Sequence, residues 1–262
     1  MNKKFLSVIK KSFFTIFIFV HSVNIAQYKY NSDQFFDEYA DFLTQPKNWE
    51  RADYFKLLLI GGGTYSLMHL DNSIKNFALG DRNYENTFLI ETGRIWGEPI
   101  TSFIIGSIFT MHGIATDNQV NKKIGFEIYQ SLAYGFTTLA LLKNVIGRVR
   151  PNMTDDPFEF SPFYFKLEDY WALPSGHTTL AFSMSTIFAK NTENKDLKVI
   201  LYIPAFLTAI SRVYQNYHWT SDVFFGACLG YFIGEYICEV HNKENILEQP
   251  DFNNLVNVRV SF

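Results

Sequence analysis

The sequence predicts an all-α helical bundle. Three observations lead there: apolar residues recur at three- and four-residue intervals in successive segments, strand-like alternation is nearly absent before the last few residues, and the segments are joined by short punctuated connections such as Gly80-Asp81, Gly97 and Asn191 to Asp196. No internal repeat or low-complexity tract is visible, and 262 residues suit one domain with a sizeable core.

Composition excludes some classes. A net charge of -3 and a pI near 6.1 argue against a nucleic-acid partner, which calls for a basic excess. The 27 Phe, 15 Tyr and 4 Trp suit both a packed core and a membrane interface. Cys228 and Cys238 are ten residues apart on one expected helix, about 15 Å along its axis, so they are expected to be small buried residues rather than a disulfide.

The chain opens with Lys3, Lys4, Lys10 and Lys11, then the apolar run Phe13 to Val20 and small or polar residues through Ala26. This is the layout of a secretory signal peptide over 1–26, cut after Ser22 or Ala26, with an uncleaved anchor as the alternative. It predicts export to the periplasm or cell envelope. The helical domain is then 27–242, followed by a tail at 243–262. From Ser32 a helix capped by Ser32 or Asp33 carries an apolar stripe of Phe35, Phe36, Tyr39 and Phe42. Further helices are expected at about 52–70, 84–96, 98–116, 120–150, 176–190, 197–213 and 220–240. A spanning helix needs about 20 mostly apolar residues. Among the uncharged runs only Pro99 to Thr116 reaches 18, and mean hydropathy is -0.04, which favours a soluble or membrane-peripheral exported domain over an integral inner-membrane protein. The tail alternates Val256, Val258, Val260 and Phe262 as in one half-buried strand.

Three clusters between Lys143 and Asp222 carry the chemistry. In the first, Lys143 and Arg150 stand seven residues apart, about 20° around a helix, so they share a face; Pro151 is expected to close that helix at Arg150. Alone, two cations in a last turn simply complement the helix dipole. In the second, Pro174-Ser175-Gly176-His177 precedes an apolar run, so Ser175 is the natural N-cap and the amides near Gly176 form an anion cradle beside His177. A capped helix with an incidental histidine is the plain alternative. In the third, Ser211-Arg212 ends a helix, and His218 and Asp222, spaced i, i+4, can touch at the start of the next. A carboxylate on one ring nitrogen would leave the other free as base or nucleophile, whereas a packed core histidine is the alternative.

Taken together, three cations, a helix N-terminus and two histidines suit a dianionic tetrahedral group. The eleven positions of these clusters resemble the motifs of the type 2 phosphatidic acid phosphatase family, which includes bacterial non-specific acid phosphatases and is related to vanadium haloperoxidases. The likeness spans about residues 125–240. It implies a phosphatase in which His218 attacks phosphorus, Asp222 orients it and His177 protonates the leaving alkoxide. Lys143, Arg150, Ser175, Gly176 and Arg212 would hold the phosphoryl oxygens. The substrate would be a phosphorylated lipid or a small phosphate ester. No metal or other cofactor is expected, because three cations would repel a divalent ion. The alternatives are a vanadate-dependent haloperoxidase, which would hold vanadate in the same shell, and a non-catalytic helical membrane or interaction protein. The aromatic stretch from Asn152 to Leu173 is either a lid or a loop stapled down by its own rings.

Overall fold

The computed structural model describes residues 29–80, 87–163 and 168–247. They form α1 (Ser32–Thr44), α2 (Arg51–Met68), α3 (Asp71–Gly80), α4 (Phe88–Trp96), α5 (Pro99–Ala115), α6 (Gln119–Ile146), α7 (Gly176–Lys190), α8 (Lys195–Ile200), α9 (Ile203–Tyr214) and α10 (Thr220–Leu247). The only strand-like pairing among the described residues is a single antiparallel bridge between Arg148 and Phe160, so the fold is all-α. The signal segment and the alternating tail lie outside the described residues.

The centre of the bundle is α7, buried along nearly its whole length, with α6, α9 and α10 packed around it. Its contact with α10 is the most extensive in the fold, and the sequence explains why. Gly226, Gly230 and Gly234 recur every four residues and so lie on one face of α10. A Cβ at these positions would come within 2.7 Å of the Ser175 carbonyl oxygen, 2.1 Å of Thr179 O and 2.7 Å of Ser183 O. Only glycine allows two backbones to approach so closely. Apolar burial completes the contact through Leu180, Ile233 and Ile237 on one side and Ala181, Phe182 and Val223 on another.

α1 lies on this body as its apolar stripe requires. Phe35 meets Phe126 edge-on at 5.8 Å, and Phe42 stacks on Tyr134 at 4.2 Å. Its cap is Asn31, whose Oδ1 accepts from Gln34 N at 2.9 Å, rather than Ser32 or Asp33. At this end of the bundle, His241 of α10 bridges Glu127 of α6 at 2.9 Å and Glu38 of α1 at 3.0 Å. Gln130 donates to Glu38, and Asn191, just past α7, donates to Glu127 at 2.6 Å. Buried charges need partners, and here the partners tie four segments together.

The helix expected to run to Arg150 ends at Ile146. Gly147 adopts the left-handed conformation (φ 61°) and returns its N–H to Lys143 O, a C-terminal glycine stop. A Cβ there would also strike the Ser161 carbonyl. Arg150 therefore lies beyond the helix, and Pro151 is not what closes it. α3 was not expected from the sequence, and the segment expected at 197–213 is divided into α8 and α9 by a turn at Leu201 and Tyr202.

Two helical stretches, Lys195–Tyr214 and Thr220–Asn242, are long and apolar enough to cross a membrane. Counting uncharged runs understated them, because Arg212 and Asp222 near their facing ends are buried in the site and do not shorten the apolar body. α5 exposes Ile100, Ile104, Ile108 and Met111, one side chain per turn, and α2 exposes Leu58 (72%) and Leu59 (59%). These are outward apolar faces, larger than scattered surface residues would make.

Candidate active site

All three clusters meet at the end of the bundle where α6 and α9 finish and α7 and α10 begin. Lys143, in the last turn of α6, donates from Nζ to the Trp171 carbonyl at 2.6 Å. It lies beside the α7 N-terminus, where a Cβ on Gly176 would be 4.0 Å from Lys143 Cε. Arg150 is reached through the loop after Gly147. Its N–H bonds Asp169 O at 2.9 Å, and its guanidinium lies 5.8 Å from the Tyr217 ring. Arg212 approaches the same ring from α9 at 5.3 Å and bonds Gln215.

Ser175 occupies the N-cap position of α7, yet its side chain makes no capping bond. Its Oγ accepts from Thr178 Oγ1 at 3.0 Å, and its N–H reaches the Asp222 carbonyl at 3.1 Å. The loop between α9 and α10 turns at Asn216 (φ 54°) and brings the His218 N–H back to the Arg212 carbonyl at 3.3 Å. That closure sets the histidine beside the cations.

His218 precedes α10, whose first turn contains Asp222. Its Nδ1 is 2.8 Å from the Ala172 carbonyl and 3.7 Å from Asp222 Oδ2. The carbonyl accepts only if Nδ1 carries the proton, which leaves Nε2 with its lone pair. The i, i+4 pair is close but not hydrogen-bonded. Asp222 is engaged elsewhere: Oδ2 accepts from Trp219 N at 2.8 Å and Oδ1 from Arg148 Nη1 at 2.5 Å.

His177 stands against the α4–α5 corner. Its Nε2 is 3.5 Å from Glu98 Oε1, and Glu98 is held by Arg94 at 2.7 Å. His177 Nε2 and Arg212 Nε are buried without a hydrogen-bond partner among the described residues. Burial, with Arg212 and Lys143 nearby, pushes His177 down to about 4, and Glu98 opposes that shift. Burial and the cations Lys143, Arg150 and Arg212 hold His218 well below its ordinary value. Both imidazoles are thus neutral near pH 7, and an arriving anion would offset the cations that depress them.

Two residues outside the motifs complete the site. Arg148 is fully buried and uses its whole donor fork. Nε and Nη2 bond Pro157 O at 3.0 and 2.6 Å, Nη1 bonds Ser221 Oγ at 2.7 Å as well as Asp222, and Nη2 bonds Asp71 Oδ2 at 2.8 Å. Asp71, at the start of α3, also accepts from the Ser221 N–H at 3.0 Å and from its hydroxyl at 2.5 Å. Sequence reasoning missed both. Arg148 sits between Lys143 and Arg150 and reads as one more basic residue, and no spacing links Asp71 to the motifs.

The aromatic stretch is stapled down rather than hinged over the site where it is described. Phe158 packs on His69 at 5.1 Å and Tyr65 at 6.1 Å, and Asp155 pairs with Lys75 at 2.7 Å. Residues 164–167, including Tyr164 and Phe165, lie outside the described residues.

A PAP2 superfamily profile matches residues 127–246, which span every cluster described above. Among curated proteins the chain is similar to a lipid A 1-phosphatase of Porphyromonas gingivalis, 42% identical over 64 residues, covering 24% of this chain and 14% of that protein. It is also similar to an undecaprenyl-diphosphatase of Sulfolobus acidocaldarius, 32% identical over 113 residues, covering 43% of this chain and 52% of that one. The matches thus span about half or less of these relatives' lengths. Among solved structures, the transmembrane PAP2 type phosphatidylglycerolphosphate phosphatase from Bacillus subtilis aligns over 72% of this chain and 94% of its own, with a TM-score of 0.49 and 22% identity.

Proposed function

We propose that this protein is a membrane-associated phosphatase that hydrolyses a lipid phosphate, a lipid diphosphate or a smaller phosphate ester through a phosphohistidine, without a metal. The observation that carries the reading is the orientation of His218: with Nδ1 bonded to the Ala172 carbonyl, Nε2 keeps its lone pair among Lys143, Arg150, Arg212 and His177. In the first step Nε2 bonds to phosphorus as the ester P–O bond breaks, and His177, protonated once the substrate's anionic charge offsets the nearby cations, gives the leaving oxygen its proton. In the second, water attacks phosphorus, His177 takes a proton from it, and the N–P bond breaks to release phosphate. The three cations and the α7 N-terminus neutralise the equatorial oxygens, which is where positioning and electrostatics do most in phosphoryl transfer.

A lipid substrate fits the outward faces. The stretches Lys195–Tyr214 and Thr220–Asn242 are suited to crossing a bilayer, and the apolar sides of α2 and α5 to facing it. Similarity to proteins named for lipid A 1-phosphate and undecaprenyl diphosphate supports the same substrate class. The basic and apolar N-terminal segment supports an envelope location.

Phosphate release from a panel of lipid monophosphates, lipid diphosphates and soluble esters, by detergent-solubilised protein in excess chelator, tests this. The expected result is turnover of at least one lipid substrate and an acid-labile phosphoprotein on rapid quenching. Turnover that requires added zinc or magnesium would overturn the metal-free reading, and absence of a phosphoprotein when the His177→Ala variant is quenched with nitrophenyl phosphate would overturn the covalent one.

A further inference from the structure

We propose that Arg148, backed by Asp71, is a positioning residue of this site: it draws Asp222 off the imidazole of His218, so that the Ala172 carbonyl fixes the nucleophile. The inference rests on the phosphatase reading for its kinetic consequences, but the arrangement is a property of the fold.

The geometry points to a divided role for Asp222. A carboxylate 3.7 Å from Nδ1 is near enough to take the ring proton after a small movement, yet its Oδ1 is held by Arg148 at 2.5 Å and its Oδ2 by the Trp219 N–H at 2.8 Å. Arg148 cannot follow Asp222 towards the histidine, because its other nitrogens are fixed to Pro157 O and to Asp71. Asp71 is in turn bound twice by Ser221, the neighbour of Asp222. The guanidinium also lies 5.5 Å from the Trp219 ring, next to His218 in the chain. The backbone of Arg148 also acts on the other acceptor: its carbonyl accepts from the Ala172 N–H at 3.1 Å and so steadies the residue whose carbonyl oxygen holds Nδ1. One residue therefore restrains the competing acceptor through its side chain and the actual acceptor through its backbone. A planar fork can satisfy acceptors in these several directions at once, and an ammonium cannot.

Charge makes the arrangement testable. The groups facing His218 are Lys143 from α6, Arg150 from the following loop, His177 from α7, Arg212 from α9 and Asp222 from α10. Of these, Asp222 alone would stabilise an imidazolium. If Arg148 releases it, the ring gains an anionic partner and becomes easier to protonate, which removes the lone pair that attacks phosphorus.

The decisive variant is the double substitution Arg148→Gln with Asp71→Asn. It removes one cation and one anion, so the net charge of the Arg148, Asp71 and Asp222 group is unchanged while the clamp on Asp222 is lost. Full-length protein in detergent, labelled with 15N-histidine and with His218→Gln used for assignment, reports tautomer and titration without turnover. The expected result is a titration midpoint for His218 raised by about one unit or more, with kcat reduced about 100-fold and KM little changed. Arg148→Lys, which keeps the charge but loses the fork, should move the same readouts in the same direction. An unmoved His218 titration in either folded variant overturns the proposal, as does loss of folded protein in both, which would assign Arg148 to the fold alone. Failure of the wild-type protein to release phosphate from any ester would overturn the phosphatase reading and leave the titration result standing.

Discussion

His218 and Asp222 approach to 3.7 Å, but the hydrogen bond from the imidazole goes to the Ala172 carbonyl at 2.8 Å. Asp222 is a buried anion whose partners are Arg148 and the Trp219 N–H, so its loss has two consequences that His218 does not share.

Asp222→Ala should cost stability as well as activity. It takes from Arg148 and the Trp219 N–H the buried carboxylate that accepts from them, and breaking a buried pair costs about 3–5 kcal/mol. His218→Ala should abolish turnover and leave the melting temperature nearly unchanged, since the ring ties the fold only through one carbonyl. Thermal melts of the two variants check this. Equal stability losses would contradict the partner assignment.

The roles of the two histidines separate by leaving group. His218→Ala should lose activity on every ester, because no phosphohistidine forms. His177→Ala should lose about 10²–10⁴-fold on an alkyl phosphate, where a proton must be supplied, and much less on nitrophenyl phosphate. Steady-state rates on both substrates decide. Equal losses in the His177 variant would contradict its role as acid.

Acid should destabilise the unliganded protein through the same two rings. Both have folded values below the 6.5 of a free histidine, His177 at about 4. Below pH 6.5 the unfolded chain therefore binds more protons than the folded one. The stabilisation is complete above 6.5 and is lost as pH falls towards 4. Melting temperature should drop across that window, and phosphate or orthovanadate should lessen the drop by cancelling nearby cations. A melting temperature for His218→Gln that falls as steeply as the wild type's, with no effect of the oxyanion, would count against it.

The glycine stripe predicts a contrast within one residue type. Gly230→Ala drives a Cβ to 2.1 Å from the Thr179 carbonyl and should destabilise by about 1–3 kcal/mol. Gly62→Ala on α2 meets nothing within 4 Å and should stabilise by up to about 1 kcal/mol through helix propensity. Paired denaturant titrations in one detergent measure both.

Much of this was legible from local spacing. Helix period located the main helices, and the three motif clusters located the end of the bundle where they converge. The limits were of two physical kinds. Gly147 carries a helix-stop signal, but the seven-residue spacing of Lys143 and Arg150 suggested a continuous helix through it. Asp71 and Arg148 are joined across 77 positions by burial, and local periodicity does not encode such contacts. The outward apolar faces of α2 and α5 likewise emerge only once the inward faces are known. Before that, the same leucines and isoleucines serve equally well as core.

The close fit of α10 against α7 also gives the site a mechanical property. Ser175 and His177 stand at the start of α7, Asp222 in the first turn of α10, and three successive glycine notches lock the two helices backbone against backbone below them. Axial slip by one residue would move Asp222 about 1.5 Å relative to Ser175, far more than the 3.1 Å bond between them tolerates. The two helices therefore behave as a single strut.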